Sequence, residues 1–129
     1  MTRQRSAPPV PVDLATAPGY LWGAGCEGWH LLATPELSVI RERMPPGTSE
    51  VRHFHRRAQQ FFYLLAGVLT IEIEGVERAL AAGQGLAVAA GAAHQVFNRG
   101  AVGAEFLVVS QPPSHGDRVA APLDEEESG

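Results

Sequence analysis

The stretch HFHRRAQQFFYLLAGVLTIEIEG, residues 53–75, decides the fold class. Its second half alternates, with Val68, Thr70, Glu72 and Glu74 set against Leu69, Ile71 and Ile73. Alternation with period two is the pattern of a half-buried β-strand. Glu74-Gly75 then reads as a tight hairpin turn into a returning strand over residues 76–80. Upstream, residues 61–65 form an aromatic and aliphatic run in which Phe62 and Leu64 share parity with Gln60 and line a pocket. Phe61, Tyr63 and Leu65 then face away. At the head of the stretch, His53 and His55 are two positions apart, and on a strand that spacing puts both imidazoles on one face.

Outward from this stretch the chain keeps reading as strands. Leu37-Ser38-Val39-Ile40 favours a strand that stops at Pro45-Pro46-Gly47, where proline lacks the ladder N–H and glycine permits the turn. Residues 86–88, 94–98 and 105–110 are three more short strands. Residues 76–93 are alanine-rich, which favours helix, but Gly83, Gly85 and Gly91 each cost ~1 kcal/mol relative to Ala and argue against one long helix. The expectation is an all-β domain, a barrel or sandwich of short strands. Residues 19–113 form its body. Residues 1–18, rich in Pro, Ala and Thr, read as a loosely ordered N-terminal arm, and residues 114–129 as a C-terminal tail ending in acidic residues.

Charge narrows the partners. Ten Arg and no Lys face fourteen Asp and Glu, for a net charge of -4. Without the acidic end the charges balance, and no basic stripe exists to suggest nucleic acid. Apolar runs break long before 18 residues, which excludes a spanning helix. A single cysteine, Cys26, allows no internal disulfide and fits a reducing cytosol; a structural thiol is its default reading. The start of the chain has Arg3 and Arg5 but no apolar segment after them, unlike a secretory signal.

The histidines are the chemical feature. His53 and His55 alone make a weak metal site, and Gln60 and His94 are the candidates to complete it. An odd spacing separates His55 from Gln60, so one continuous strand would place them on opposite faces. A bend at Arg56-Arg57-Ala58 would bring Gln60 back. Without a metal, three clustered imidazoles would be costly to bury. For Gln60 the alternative is a structural amide. Gln59 sits one residue off the spacing.

These residues carry a resemblance. Gly47-x5-His53-x-His55-x4-Gln60-x6-Gly67 resembles the first motif of the cupin superfamily, and Gly83-x5-Ala89-x-Gly91-x2-His94-x3-Asn98 resembles the second. The resemblance implies a double-stranded β-helix, a jelly-roll-like cupin barrel. It also implies one divalent transition metal (Zn, Mn, Fe or Ni) on His53, His55, Gln60 and His94, and pairing of the chain as a homodimer. The sequence departs from the pattern where Gln60 replaces the usual Glu and Ala89 the usual Pro. Gln can ligate through its carbonyl oxygen but is neutral, so the ion's charge stays uncompensated. Such an ion is a stronger Lewis acid and resists oxidation.

That favours metal-assisted isomerase or lyase chemistry on a small oxygenated molecule, such as a sugar acid or keto acid. A metal-dependent dioxygenase and a non-catalytic small-molecule binding cupin are the alternatives. Cupins that open unsaturated uronates share three His and one Gln, but they carry an acidic residue on the last strand before a Ser-Pro-Pro-like end, and here that strand, Leu107-Val108-Val109-Ser110-Gln111-Pro112-Pro113, has no acid at the matching place. Glu42 is the candidate general base if Ile40 and Met44 face inward, and a solvated carboxylate in the opposite register. Asn98 either orients a ligand or serves a turn. His30 and His115 read as surface histidines, and Trp22 and Trp29 as core or interface residues.

Overall fold

A computed structural model of the chain describes residue 3 and residues 7–123. The acidic end, 124–129, and much of the start of the N-terminal arm lie outside the described residues. Eleven strands follow in chain order: β1 Gly19–Trp22, β2 Cys26–Ala33, β3 Ser38–Met44, β4 His53–His55, β5 Gln59–Ala66, β6 Val68–Ile73, β7 Val76–Ala81, β8 Gly85–Val88, β9 His94–Phe97, β10 Ala104–Gln111 and β11 Arg118–Ala120. No helix occurs among the described residues. The strands form two antiparallel sheets, a six-stranded one ordered β1-β2-β3-β10-β5-β8 and a five-stranded one ordered β11-β4-β9-β6-β7. This is the double-stranded β-helix that the resemblance implied, and the all-β barrel or sandwich expected from the strand pattern.

Local patterns place the core. Along β5, Gln60, Phe62 and Leu64 are buried, while Phe61, Tyr63 and Leu65 are exposed on the outer face of the larger sheet. Along β10, Ala104, Phe106, Val108 and Ser110 turn inward in the same way. Ala104, Phe106 and Val108 meet Leu69, Ile71 and Val96 from the smaller sheet in one apolar core. Burial of these apolar faces, at ~25 cal/mol per Å² removed from water, is the main term holding the sheets together.

The expected hairpin is present: Ile73 pairs with Val76 across Glu74 and Gly75, whose φ angles are 49° and 86°. Two positive φ values make the turn whose twist matches the strands it joins. Gly67 joins β5 to β6 at φ 85°, and a Cβ there would stand 2.6 Å from the carbonyl oxygen of Gly103. No side chain fits that approach.

The bend expected at Arg56-Arg57-Ala58 is where the chain leaves one sheet for the other. β4 belongs to the smaller sheet and β5 to the larger. The Asp117 carboxylate holds the crossing by accepting from the backbone N–H of Arg56 (3.2 Å), Arg57 (2.9 Å) and Ala58 (2.9 Å). His55 and Gln60 therefore face one interior from opposite walls. The sequence drew the edge of the barrel at Pro113; strand β11 lies beyond it and pairs antiparallel with β4, Arg118 opposite His55 and Ala120 opposite His53.

Candidate metal centre

The histidines meet by strand register. His53 pairs with His94 across β4 and β9, and His55 lies on the same face of β4. Ring centroids stand 4.4 Å apart for His53 and His94, 4.8 Å for His53 and His55, and 5.9 Å for His55 and His94. One nitrogen from each ring lies within 4.8 Å of the others. All three side chains are buried.

Backbone carbonyls orient two of the rings. His53 Nδ1 is 2.7 Å from the Val51 oxygen and His94 Nδ1 is 2.9 Å from the Ala92 oxygen. Each Nδ1 donates, so each Nε2 keeps a free lone pair, the arrangement that a metal-binding imidazole needs. His94 Nε2 is buried without a hydrogen-bond partner. Burial holds His53 down to about 3 and pushes His55 and His94 below the ordinary range. The imidazoles are neutral at neutral pH, as ligation requires.

Gln60 reaches the same cavity from the opposite sheet. Its amide nitrogen donates to Ser110 Oγ at 3.0 Å, and its carbonyl oxygen is buried without a partner. A buried acceptor left without a donor is costly. Three neutral imidazoles and an unpartnered amide oxygen facing the same cavity fit a divalent ion, and that donor set suits the metals that the resemblance implied.

The cavity around these groups has a volume of about 490 Å³. Glu42 and Ile40 both line it, and Met44, of the same parity on β3, is buried in the core. Burial pushes the Glu42 carboxyl up to about 7, with Arg118 opposing.

A second carboxylate, Glu50, also lines the cavity. Its Oε1 accepts from the Val96 backbone N–H at 3.1 Å, and its Oε2 is 3.9 Å from His53 Nδ1 and 4.0 Å from Arg118 Nη2. Burial, then the charge of Glu42, pushes it up to about 8.

Sequence reasoning missed Glu50 and Arg118. Both reach the site through pairing between distant segments, although Glu50, three residues before His53, lay within the quoted motif. It also read His30 as a surface histidine. His30 is half-buried and lies against Tyr20 with ring centroids 5.0 Å apart at a tilt of 38°, and both line the cavity together with Trp22. His115 is exposed, as expected, yet stands at the cavity mouth. Phe62 and Leu64 face inward but belong to the core under the site; Phe62 packs edge-on to His94 with centroids 6.2 Å apart. Asn98 serves a turn: its amide donates to the carbonyls of Met44 and Val102 and its oxygen accepts from Gly100 N–H. Cys26 is a buried core thiol.

Fold and site together define a cupin. The family described as "Cupin domain" matches residues 40–110, more than half of the chain, and the protein belongs to it. The tetracenomycin polyketide synthase protein TcmJ of Streptomyces glaucescens is 32% identical over 69 residues, which are 54% of this chain and 46% of that protein. The match thus spans about half the length of that curated relative. Among solved structures, the polyketide cyclase RemF of Streptomyces resistomycificus superposes with a TM-score of 0.75 at 16% identity, covering 88% of this chain and 86% of that one. A sugar phosphate isomerase of the cupin superfamily from Silicibacter pomeroyi superposes with a TM-score of 0.69 at 25% identity, covering 79% and 75%.

Proposed function

We propose that the protein is a metal-dependent enzyme that moves a proton on the carbon beside a carbonyl of an oxygenated organic molecule, the step shared by isomerases, lyases and cyclases. The observation that carries this reading is that Glu42 lines the same cavity as His53, His55 and Gln60. A divalent ion held by His53, His55, His94 and Gln60 would supply Lewis acidity toward the carbonyl oxygen. Glu42, poised near neutral pH, takes the proton from the neighbouring carbon as general base. The C–H electron pair moves into the C–C=O unit to give an enolate, and the same carboxyl returns a proton to that carbon; where the carbon carries a hydroxyl, the hydroxyl proton passes to the former carbonyl oxygen and the carboxyl can return its proton to the next carbon instead. Arg118, at the cavity wall, favours an anionic group on the substrate.

The names of the relatives support carbonyl-rich substrates: TcmJ is a polyketide synthase protein, and an isomerase shares the fold. The apolar outer face of β5, with Phe61, Tyr63 and Leu65 exposed, suits a second copy of the chain, so the reading includes a homodimer. Among the described residues no helix is long and apolar enough to cross a membrane.

Deuterium exchange tests the chemistry. Zinc- and manganese-loaded protein is incubated in D2O with pyruvate, dihydroxyacetone and an aryl β-diketone, and loss of the proton signal beside the carbonyl is followed by NMR. At least one substrate is expected to exchange ~100-fold faster with wild type than with Glu42→Gln, in the range of general-base contributions. Metal-loaded protein that accelerates none of them would leave the protein as a binding module.

A further inference from the structure

The cavity at the histidines has a neighbour. A second hollow of about 250 Å³ adjoins it, and His30, Ile40, Ser114 and His115 line both. Ala33 and Ser38 lie farther along the second hollow. The two hollows also differ chemically. The acids Glu42 and Glu50 belong to the first alone, while the second carries hydroxyls and imidazoles among its described lining and no Asp, Glu or Arg.

One wall of the first hollow is aromatic, and a glycine explains how. Tyr20 pairs with Gly28, and Gly28 pairs with Glu42, in one row across β1, β2 and β3. A Cβ on Gly28 would stand 2.2 Å from Tyr20 Cζ and 2.4 Å from its hydroxyl. The Tyr20 ring thus lies across β2 in the space a side chain would fill, and His30, two residues along β2, lies against it at a tilt of 38°. Flat aromatic walls favour flat ligands, which stack with offset or tilted rings.

We propose that the substrate is an elongated, flat, polyoxygenated molecule that spans both hollows. Its reacting carbonyl lies among the histidines, its body lies along Tyr20 and His30, and its far end fills the space beside Ala33 and Ser38. A keto acid of a few atoms would leave most of this volume to water, whereas a cavity of this order encloses a drug-sized molecule. The proposal rests on the carbonyl chemistry proposed above and names the substrate class for it.

Two probes with the same chelating β-ketoenol unit and different lengths test it. Acetylacetone reaches only the metal end; 1,8-dihydroxyanthraquinone is long enough to enter the second hollow. Calorimetric titration of zinc-loaded wild type is expected to show the long probe binding at least 10-fold more tightly. Ala33→Trp fills the second hollow from an exposed strand end. It is expected to lower affinity for the long probe at least 10-fold and to leave acetylacetone within two-fold, with unchanged metal content and melting temperature. Wild type that binds the long probe no more tightly than the short one overturns the proposal, as does a variant that changes both alike. Equal binding of both probes by metal-free and metal-loaded protein would instead overturn the carbonyl chemistry, so the two failures are distinguishable.

Discussion

Gln60 and Ser110 face each other across β5 and β10, paired in register and joined by a 3.0 Å bond from the amide nitrogen to the hydroxyl. That bond fixes which end of the amide faces away from the site. The carbonyl oxygen is left as the free end, buried and without a partner.

Removing the hydroxyl should therefore weaken the site without touching a ligand. Ser110→Ala is expected to lower zinc affinity about 10-fold or more, the usual effect of losing a group that orients a ligand. Gln60→Glu adds the charge that the site lacks and is expected to bind zinc more tightly than wild type. Competition titration against a chelating dye measures both. Unchanged affinity in both variants would mean that Gln60 is a structural amide.

The acidity of Glu42 gives a pH dependence of known sign. Its carboxyl sits near 7 in the folded chain, against 4.5 as the ordinary value. The folded state binds more protons than the unfolded one between those two pH values, so stability falls as pH rises through that window. Glu42→Gln keeps a neutral side chain of the same shape at every pH. It is expected to melt above wild type at pH 8 and with it at pH 4, in thermal scans of the two proteins in the same metal state. A lower melting temperature at pH 8 would show that the ionised carboxylate is stabilising instead.

Asp117 should matter to the fold out of proportion to its size. Three backbone N–H groups at the sheet crossing donate to it, and those bonds hold its carboxyl below the ordinary range. Its contribution is present at neutral pH and is lost as pH falls through its lowered folded value. Asp117→Ala is expected to lower the melting temperature by several degrees at pH 7, to lose much of that deficit at pH 3, and to weaken zinc binding because His55 and Gln60 flank the crossing. Circular dichroism melts and the same titration check this.

How much of this was legible in the sequence depends on how local each signal is. The β6–β7 hairpin could be read because period, turn residues and strand lengths all lie within a few neighbours. The crossing at Arg56-Arg57-Ala58 could be inferred from the parity clash between His55 and Gln60. Strands β1 and β2 were hidden because Gly28 in mid-strand weakens the local pattern, and its reason, the Tyr20 ring above it, comes from another strand. Strand β11 has three residues and pairs only with distant β4. The histidines and Gln60 were legible as candidate ligands through their motif. Glu42 was legible only as one of two registers, and Glu50 and Arg118 became visible as site residues once the strands had paired.

The exposed side chains of β5 give a test of assembly. Wild type is expected to sediment with the mass of two chains, and the double substitution Tyr63→Glu with Leu65→Glu with the mass of one, both folded by circular dichroism. A monomeric wild type would remove the homodimer from the reading.

The central claim is that His53, His55 and His94, with Gln60, hold one divalent transition metal. The most direct measurement is elemental analysis of protein dialysed against metal-free buffer, beside His53→Ala and His94→Ala. About one transition-metal ion per chain is expected in wild type, and less than a tenth of that in either variant. A folded wild type that carries no metal and takes up none when offered zinc, manganese, iron or nickel, or variants that retain wild-type metal content, would contradict the account.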